Sequence, residues 1–402
     1  MPEQILALNA GSSTVKFALF SGSEGRRQRR FHGVVDEIGS HPRLTAYTDA
    51  GQQVDDREWA DGARCGHERL AAYILGWAQA HIGSGNLRAV SHRIAHGGPN
   101  YWAPVVVTDA VLADLDALCP LAPLHQPHNL AVLRAVAALA PEVAQVACFD
   151  TAFFHDLPMA AQRVPIPKAW ADRGVRRYGF HGLSYDYLAR RLRTLDPDAA
   201  AGRVVFAHLG SGASLCGTID GRPVDTTMGF SPLDGLVMST RCGALDPGVV
   251  LHLLRQGLTA AQVEDLLYRQ SGLLAVSGLS GDMRALLACD DPGAEAAVEQ
   301  FVFRLVREVG AMAACVGGLD ALVFSAGIGE HAPEIRRRVC ERLAWLGVGI
   351  EAEANIGGHA RISGERSLAS VWVIAANEED TLAAGAAGLI AQGLIQRKAS
   401  AA

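Results

Sequence analysis

An arginine stands between two histidines just ahead of paired glycines in Ser91-His92-Arg93-Ile94-Ala95-His96-Gly97-Gly98. A guanidinium is a planar fork that matches a carboxylate or phosphate, and glycines let backbone come close to the bound group. A surface arginine followed by a turn is the other reading. Cys148-Phe149-Asp150-Thr151 puts an acid at the end of an apolar strand, where doubly wound sheets commonly keep functional groups; Asp150 could equally be a cap. In RRYGFHGLSY (176–185), His181 lies between an aromatic residue and a glycine, placed to donate to an anionic transition state or to sit satisfied in a core. The stretch from Asp225 to Pro247 is too rich in Gly, Ser, Thr and Pro for one long element. It reads as a functional loop with Arg241 as its cation. Asn377-Glu378-Glu379-Asp380 would open a helix, where acids either cap or, beside phosphate turns, hold Mg²⁺.

Elements must bring these groups together, and an internal echo suggests how. ILALNAGSSTVKFALF (5–20) is an apolar strand, a Gly-Ser turn and a second strand; VVFAHLGSGASLCGTI (204–219) repeats it with His208 where the first copy has Asn9. Two such hairpins half a chain apart point to a duplicated domain, each copy opening on a turn whose N–H groups can hold phosphate oxygens. LVFSAGIGEHAPEIRRRV (322–339) reads as a buried strand, a Gly-x-Gly turn and a helix with Pro333 near its start. None of these matches a P-loop or a dinucleotide-binding fingerprint.

Composition narrows the class. With 402 residues, 49% hydrophobic and 19% charged, the chain is globular and large enough for two or three domains. A formal net charge of −6, without long like-charge runs, argues against nucleic acid or a membrane as partner. The basic cluster Arg26, Arg27, Arg29 and Arg30 reads as a solvated hairpin or loop. Cys65, Cys119, Cys148, Cys216, Cys242, Cys289, Cys315 and Cys340 are too widely spaced for a zinc ladder and read as reduced, mostly packed thiols. The opening MPEQILALNAGSST lacks the positive charge of a signal peptide, and Arg134 and Glu142 interrupt the apolar segment 130–149, so a cytoplasmic location is expected.

With LNAGSSTVKF, HRIAHGG, PLAPLHQPHN, FDTAFFH, RRYGFHGLSY, HLGSGAS, MGFSPLDGLVMSTRCGALDP, SAGIGEH and NEED in order along the chain, the sequence resembles the acetate kinases and the closely similar propionate kinases. These belong with the sugar kinases, Hsp70 ATPase domains and actin. The resemblance implies an α/β, duplicated ribonuclease-H-like (actin-like ATPase) fold, with domain I at 1–150 plus 379–402, domain II at 151–378 and the active cleft between them. It implies reversible phosphoryl transfer from ATP to acetate, giving acetyl phosphate and ADP. Propionate kinase or phosphohydrolase activity in the same cleft, and a non-catalytic nucleotide-dependent module, are the alternatives.

Carried over by position, Asn9 and Glu378 help bind Mg²⁺ (or Mn²⁺), Lys16 neighbours the nucleotide phosphates and Arg93 receives the carboxylate. Asp150, His181 and Arg241 form the catalytic set. His208, Leu209, Gly210, Ser211 and Gly212, Asp282, Met283 and Arg284, and Gly327, Ile328, Gly329, Glu330 and His331 form the ATP site. Ala95, Leu124, Phe180 and Pro232 wall the substrate's alkyl group, and the oligomer is a homodimer through domain II. A carboxylate is already ionised at neutral pH, so the transfer needs charge management and alignment rather than a strong base; Asp150 fits an orienting role better than proton removal. The chain departs from the family pattern at Ser239 (usually Gly), Ala244 (Asp), Ser211 and His331 (Asn), and Gln126 (Asn).

Ala95 stands where valine is common, which leaves room for a longer acyl chain. One methylene in an apolar pocket is worth about 1–3 kcal/mol. Appreciable activity on propionate is therefore expected, with Ala95→Val shifting the acetate/propionate ratio of kcat/KM toward acetate by roughly ten-fold or more; an unchanged ratio would remove Ala95 from the pocket.

Overall fold

Runs of buried apolar residues bounded by glycine turns build two separate sheets. A computed structural model describes residues 3–11, 14–22, 27–60, 65–83 and 85–395; Met1, Pro2, Ser12, Ser13, Arg26 and the 396–402 end of domain I lie outside the described residues. The chain divides into two compact units, Met1–Ala152 with Asn377–Ala402, and Phe153–Ala376.

The first unit holds β1 (Glu3–Ala10), β2 (Val15–Ser21), β3 (Gln28–Asp36), β4 (Arg43–Thr48), β5 (Gln53–Glu58), β6 (Asn86–Ile94), β7 (Val105–Val106) and β8 (Ala144–Phe149). Their order is β5-β4-β3-β2-β1-β6-β8-β7. β1 to β5 form an antiparallel meander, while β1, β6 and β8 run parallel. Residues 4–10 of β1 are all buried, as a strand covered on both faces must be. Leu6, Leu8 and Val90 join a core with Leu70 and Ile74 of the His67–His81 helix and Val132 and Val136 of the Gln126–Leu139 helix. The Glu378–Ala391 helix packs on β1 and β6. It approaches β8 so closely that a Cβ at Gly385 would fall 2.8 Å from Cys148 Sγ, which excludes any side chain there.

The second unit has the order β11-β10-β9-β12-β13, from β9 (Arg203–Leu209), β10 (Ala213–Ile219), β11 (Arg222–Thr226), β12 (Ala321–Ser325) and β13 (Ser370–Val373). Alternation along β9 sends Val205, Ala207 and Leu209 toward the long Pro292–Val316 helix, and Val204 and Phe206 toward Tyr185, Leu188 and Leu192 of the Gly182–Leu195 helix. β9, β10 and β11 are antiparallel, whereas β9, β12 and β13 are parallel. The same wiring links β3-β2-β1-β6-β8. This repeat is the duplicated ribonuclease-H-like pattern of actin-like ATPases.

Three local readings change. Gly327 and Gly329 lie inside a short helix, Ala326–His331, because Ala326 takes φ 63° and turns the chain straight from β12 into helix. The arginine cluster lies at the β2–β3 hairpin, as expected, but is only partly solvated: Arg30 is exposed, while Arg27 pairs with Asp380 at 3.1 Å and Arg29 with Asp49 at 2.7 Å. None of the eight cysteines is in a disulfide, but only Cys65, Cys148, Cys216 and Cys340 are fully packed, while Cys289 and Cys315 are exposed. Among the described residues no helix is long and apolar enough to cross a membrane.

One buried group makes the first unit acid-sensitive. His92 on β6 bonds Gln145 Oε1 through Nε2 at 2.6 Å, and its Nδ1 has no partner. Burial lowers its pKa from 6.5 to about 4, against the opposing Gln145 bond. The unfolded chain therefore takes up the proton first, so stability is lost as pH falls from about 6.5 toward 4. Urea unfolding should show a loss of about 2 kcal/mol between roughly pH 7 and 5 that His92→Gln abolishes; an equal loss in the variant would place the acid sensitivity elsewhere.

Candidate functional site

Parallel pairing aligns the ends of three neighbouring strands. Leu8 pairs with His92 and Arg93 with Cys148, so Asn9, Arg93 and Asp150 fall at the C-terminal ends of β1, β6 and β8. Asp150 is wholly buried and accepts from Arg93 Nε at 3.0 and 3.2 Å and from Nη2 at 2.6 Å. Arg93 is thus no surface residue, and Asp150 is no cap. Asp150 thus engages the Nε and Nη2 side of the guanidinium. Burial works against the charge of Arg93, but Asp150, Glu378 and Glu379 outweigh it, so its pKa lies above the ordinary value. Burial likewise pushes Asp150 upward, opposed by Arg93.

Asn9 links this pair to the acidic helix start. Its Nδ2 donates to Glu378 Oε2 at 2.8 Å and Glu379 Oε1 at 3.2 Å, and its Oδ1 accepts from Arg93 Nη1 at 3.4 Å. Asn377, not the glutamates, caps the helix by accepting from the Asp380 N–H at 3.2 Å, which leaves both glutamates to Asn9. Burial, then the neighbouring Glu378, raises the Glu379 pKa, while Lys16, the β2 partner of Asn9, opposes the rise. These are hard oxygen donors of the kind Mg²⁺ takes, which uses one or two carboxylates and completes its shell with water and phosphate.

In the second unit His181 occupies the left-handed region (φ 61°) as N-cap of the Gly182–Leu195 helix, a strain of roughly 1–2 kcal/mol. Its Nδ1 lies 2.8 Å from Ser214 Oγ, and its ring stacks on His208 at 4.3 Å; His208 in turn meets Ser184 Oγ at 2.9 Å. A Cβ at Gly212 would lie 3.5 Å from both His181 Nε2 and Arg241 Nη1, so imidazole and guanidinium converge on the β9–β10 turn. Arg241 is steadied by the Pro232 carbonyl at 3.0 Å.

The remaining expected residues divide by exposure. Ser211, Gly327 and His331 are exposed, and Gly210 and Gly212 are half-buried. Leu209 and Met283 are core residues, able to offer a ligand only their backbone. Asp282 caps the Met283–Leu287 helix and pairs with Arg284 at 2.8 Å. Glu330 accepts from the Ala376 N–H at 2.9 Å, and buried Arg336 donates to the Gly329 and Glu330 carbonyls, fixing the half-buried Ile328 segment from below. Ala95, Phe180 and Pro232 are buried and Leu124 half-buried, each within its own unit.

The chain matches the acetokinase family over residues 4–384. It belongs to that family. It is 50% identical over 385 residues to an acetate kinase of Rhodopseudomonas palustris (strain TIE-1), covering 94% of this chain and 96% of that one. It is 46% identical to an acetate kinase of Methylocella silvestris, covering 98% and 99%. Among solved structures it is similar to a propionate kinase from Francisella tularensis (TM-score 0.86, 32% identity, 95% and 98% covered). It is also similar to the acetate kinase of Porphyromonas gingivalis (TM-score 0.83, 33% identity, 96% and 100% covered).

Departures from the acetokinase pattern acquire structural reasons. Ser239 donates Oγ–H to the Gly281 carbonyl at 2.6 Å and its N–H to the Ser211 carbonyl at 3.1 Å, tying the glycine turn to the segment before Asp282. Gln126 exchanges two hydrogen bonds with the His96 backbone, both 3.0 Å. Sequence reasoning passed over Glu379 as a partner of Asn9, Ser214 behind His181, and Asn129. Asn129 donates to the Ala10 carbonyl at 2.7 Å and accepts from the Ala95 N–H at 2.9 Å, so one buried amide pins the ends of β1 and β6. Only its place in the PLAPLHQPHN segment hinted at this.

Asn129→Ala strands a buried carbonyl and a buried N–H. The expected loss is about 2–4 kcal/mol in urea unfolding; a loss below about 0.5 kcal/mol would mean that the strand ends hold each other without it.

Proposed function

We propose that the protein transfers the γ-phosphoryl group of ATP reversibly to acetate by direct in-line displacement, giving acetyl phosphate and ADP, with propionate as a further acceptor. The observation that carries this reading is the Arg93–Asp150 pair: an arginine fixed by a buried acid through Nε and Nη2 still has further N–H donors on Nη1 and Nη2 with which to receive a small carboxylate. Membership of the acetokinase family supports the same chemistry.

Arg93 binds and orients the acceptor carboxylate, which needs no deprotonation. Asp150 fixes Arg93; with both oxygens engaged by the guanidinium, it is poorly placed to activate water, which disfavours hydrolysis. His181 and Arg241, converging on the Gly210–Gly212 turn, donate to the oxygens of the moving phosphoryl group, and N–H groups of the turn receive the nucleotide phosphates with Lys16. His208, Asp282–Arg284 and Gly327–His331 complete the nucleotide side, and Ala95, Leu124, Phe180 and Pro232 the alkyl wall. Asn9 and Glu378, with Glu379, would hold Mg²⁺, which when bound offsets charge on the phosphates.

A homodimer through the second unit is part of the proposal, supported by exposed Val249, Leu251 and Leu254 on the Pro247–Arg255 helix and exposed Phe303. So is a cytoplasmic setting, supported by eight cysteines none of which is in a disulfide.

Hydroxylamine trapping with MgATP and acetate, propionate or butyrate is the test, because only an acyl phosphate yields a hydroxamate. A carboxylate-dependent signal, strongest with acetate and appreciable with propionate, is expected. ATP hydrolysis without trapping, or no turnover at all, would overturn the assignment.

A further inference from the structure

His181 has two ring nitrogens, and only one of them faces the glycine turn. Nε2 lies 3.5 Å from where a Gly212 Cβ would stand, while Nδ1 faces Ser214 Oγ at 2.8 Å. To donate to a phosphoryl oxygen, the neutral ring must carry its hydrogen on Nε2. Nothing in the ring itself ensures that, so the neighbours must.

The hydrogens behind the ring can be followed one at a time. Ser214 and Tyr185 are wholly buried, and Tyr185 Oη lies 2.6 Å from Ser214 Oγ. Each hydroxyl owns one hydrogen. Burial holds the phenol protonated, its pKa well above the ordinary value, and the His208 backbone already donates to its oxygen. The 2.6 Å contact allows either hydroxyl to donate; with the phenol oxygen already accepting from the His208 backbone, the phenol hydrogen is placed on Ser214 Oγ. The serine hydrogen is then directed to the remaining contact, His181 Nδ1, which must accept.

We infer that Tyr185 and Ser214 are positioning residues that hold His181 as its Nε2–H tautomer, so that a donor always faces the glycine turn. Neither touches a substrate; both act through the ring. The stacked His208 has its own hydroxyl contact, Ser184 Oγ at 2.9 Å from Nδ1. The catalytic consequence rests on the kinase reading given above, whereas the tautomer itself does not.

The test combines ¹⁵N-histidine NMR of the full-length protein, with His181 assigned by loss of its signals in His181→Gln, and steady-state hydroxamate kinetics. In the unaltered protein His181 should show a protonated Nε2 and a bare, hydrogen-bonded Nδ1. Ser214→Ala removes the donor that reserves Nδ1, so an Nδ1–H fraction absent from the unaltered protein should appear and kcat should fall, with KM for acetate within about two-fold. Tyr185→Phe, which frees the serine to rotate, should give a mixed tautomer and a smaller fall in kcat. Ser214→Thr keeps the hydroxyl and should restore both the tautomer and most of the rate. A His181 that stays Nε2–H in Ser214→Ala, or rate losses equal in the alanine and threonine variants, would overturn the inference. If the unaltered protein forms no hydroxamate, the kinase reading falls while the NMR comparison still decides the tautomer.

Discussion

A charged arginine enclosed with a buried aspartate is the constraint around which the first unit is organised. Removing either partner of such a pair leaves a stranded charge, typically at a cost of about 3–5 kcal/mol. The fold must therefore deliver Arg93 and Asp150 together, which adjacent parallel strands do by register alone. Asn9 and the glutamates of the C-terminal helix close around them. Three carboxylates then surround one guanidinium, with Lys16 at the margin, and the local balance is negative. Under the proposed function that excess would repel an incoming phosphate unless a cation accompanied it, which is the physical reason the proposal puts a divalent ion beside Asn9 and Glu378.

The second unit uses the same two backbone positions for different chemistry. Asn9 pairs with Lys16 across the first hairpin, and His208 pairs with Ser214 across the second. One copy of the hairpin thus carries an amide and an ammonium, the other an imidazole and a hydroxyl. Under the proposed function the first pair suits cations and carboxylates, and the second aims hydrogen-bond donors at phosphate.

Hairpins, glycine turns and the terminal acid of β8 were legible because they are local: periodicity and turn chemistry within a few residues reveal them. The repeat in wiring was legible through ILALNAGSST and VVFAHLGSGA, which keep their pattern although few residues are shared. What escaped depends on long-range partners. Asn129 is an unremarked residue in a helical stretch until β1 and β6 arrive on either side of it, and Ser214 looks like any strand serine until the Gly182–Leu195 helix brings Tyr185 over it. The short helix Ala326–His331 was misread as a turn because a non-glycine residue adopts a left-handed backbone there, a choice dictated by packing rather than by propensity.

The departures from the family pattern sort in the same physical terms. At Gln126 and Ser239 the side chain's task is to bind backbone: the amide of Gln126 spans His96, and the hydroxyl of Ser239 reaches the Gly281 carbonyl. At Ala244 the backbone N–H donates to the Gly235 carbonyl and the carbonyl accepts from the Arg304 side chain, so the loop is held here without a carboxylate. Substitution is tolerated at these places because a backbone hydrogen bond can be met by several groups. Arg93, Asp150, His181 and Arg241 offer no such latitude. Under the proposed function Arg93, His181 and Arg241 each present a particular donor set to a charged group, and Asp150 accepts from Arg93 to hold its donors in place.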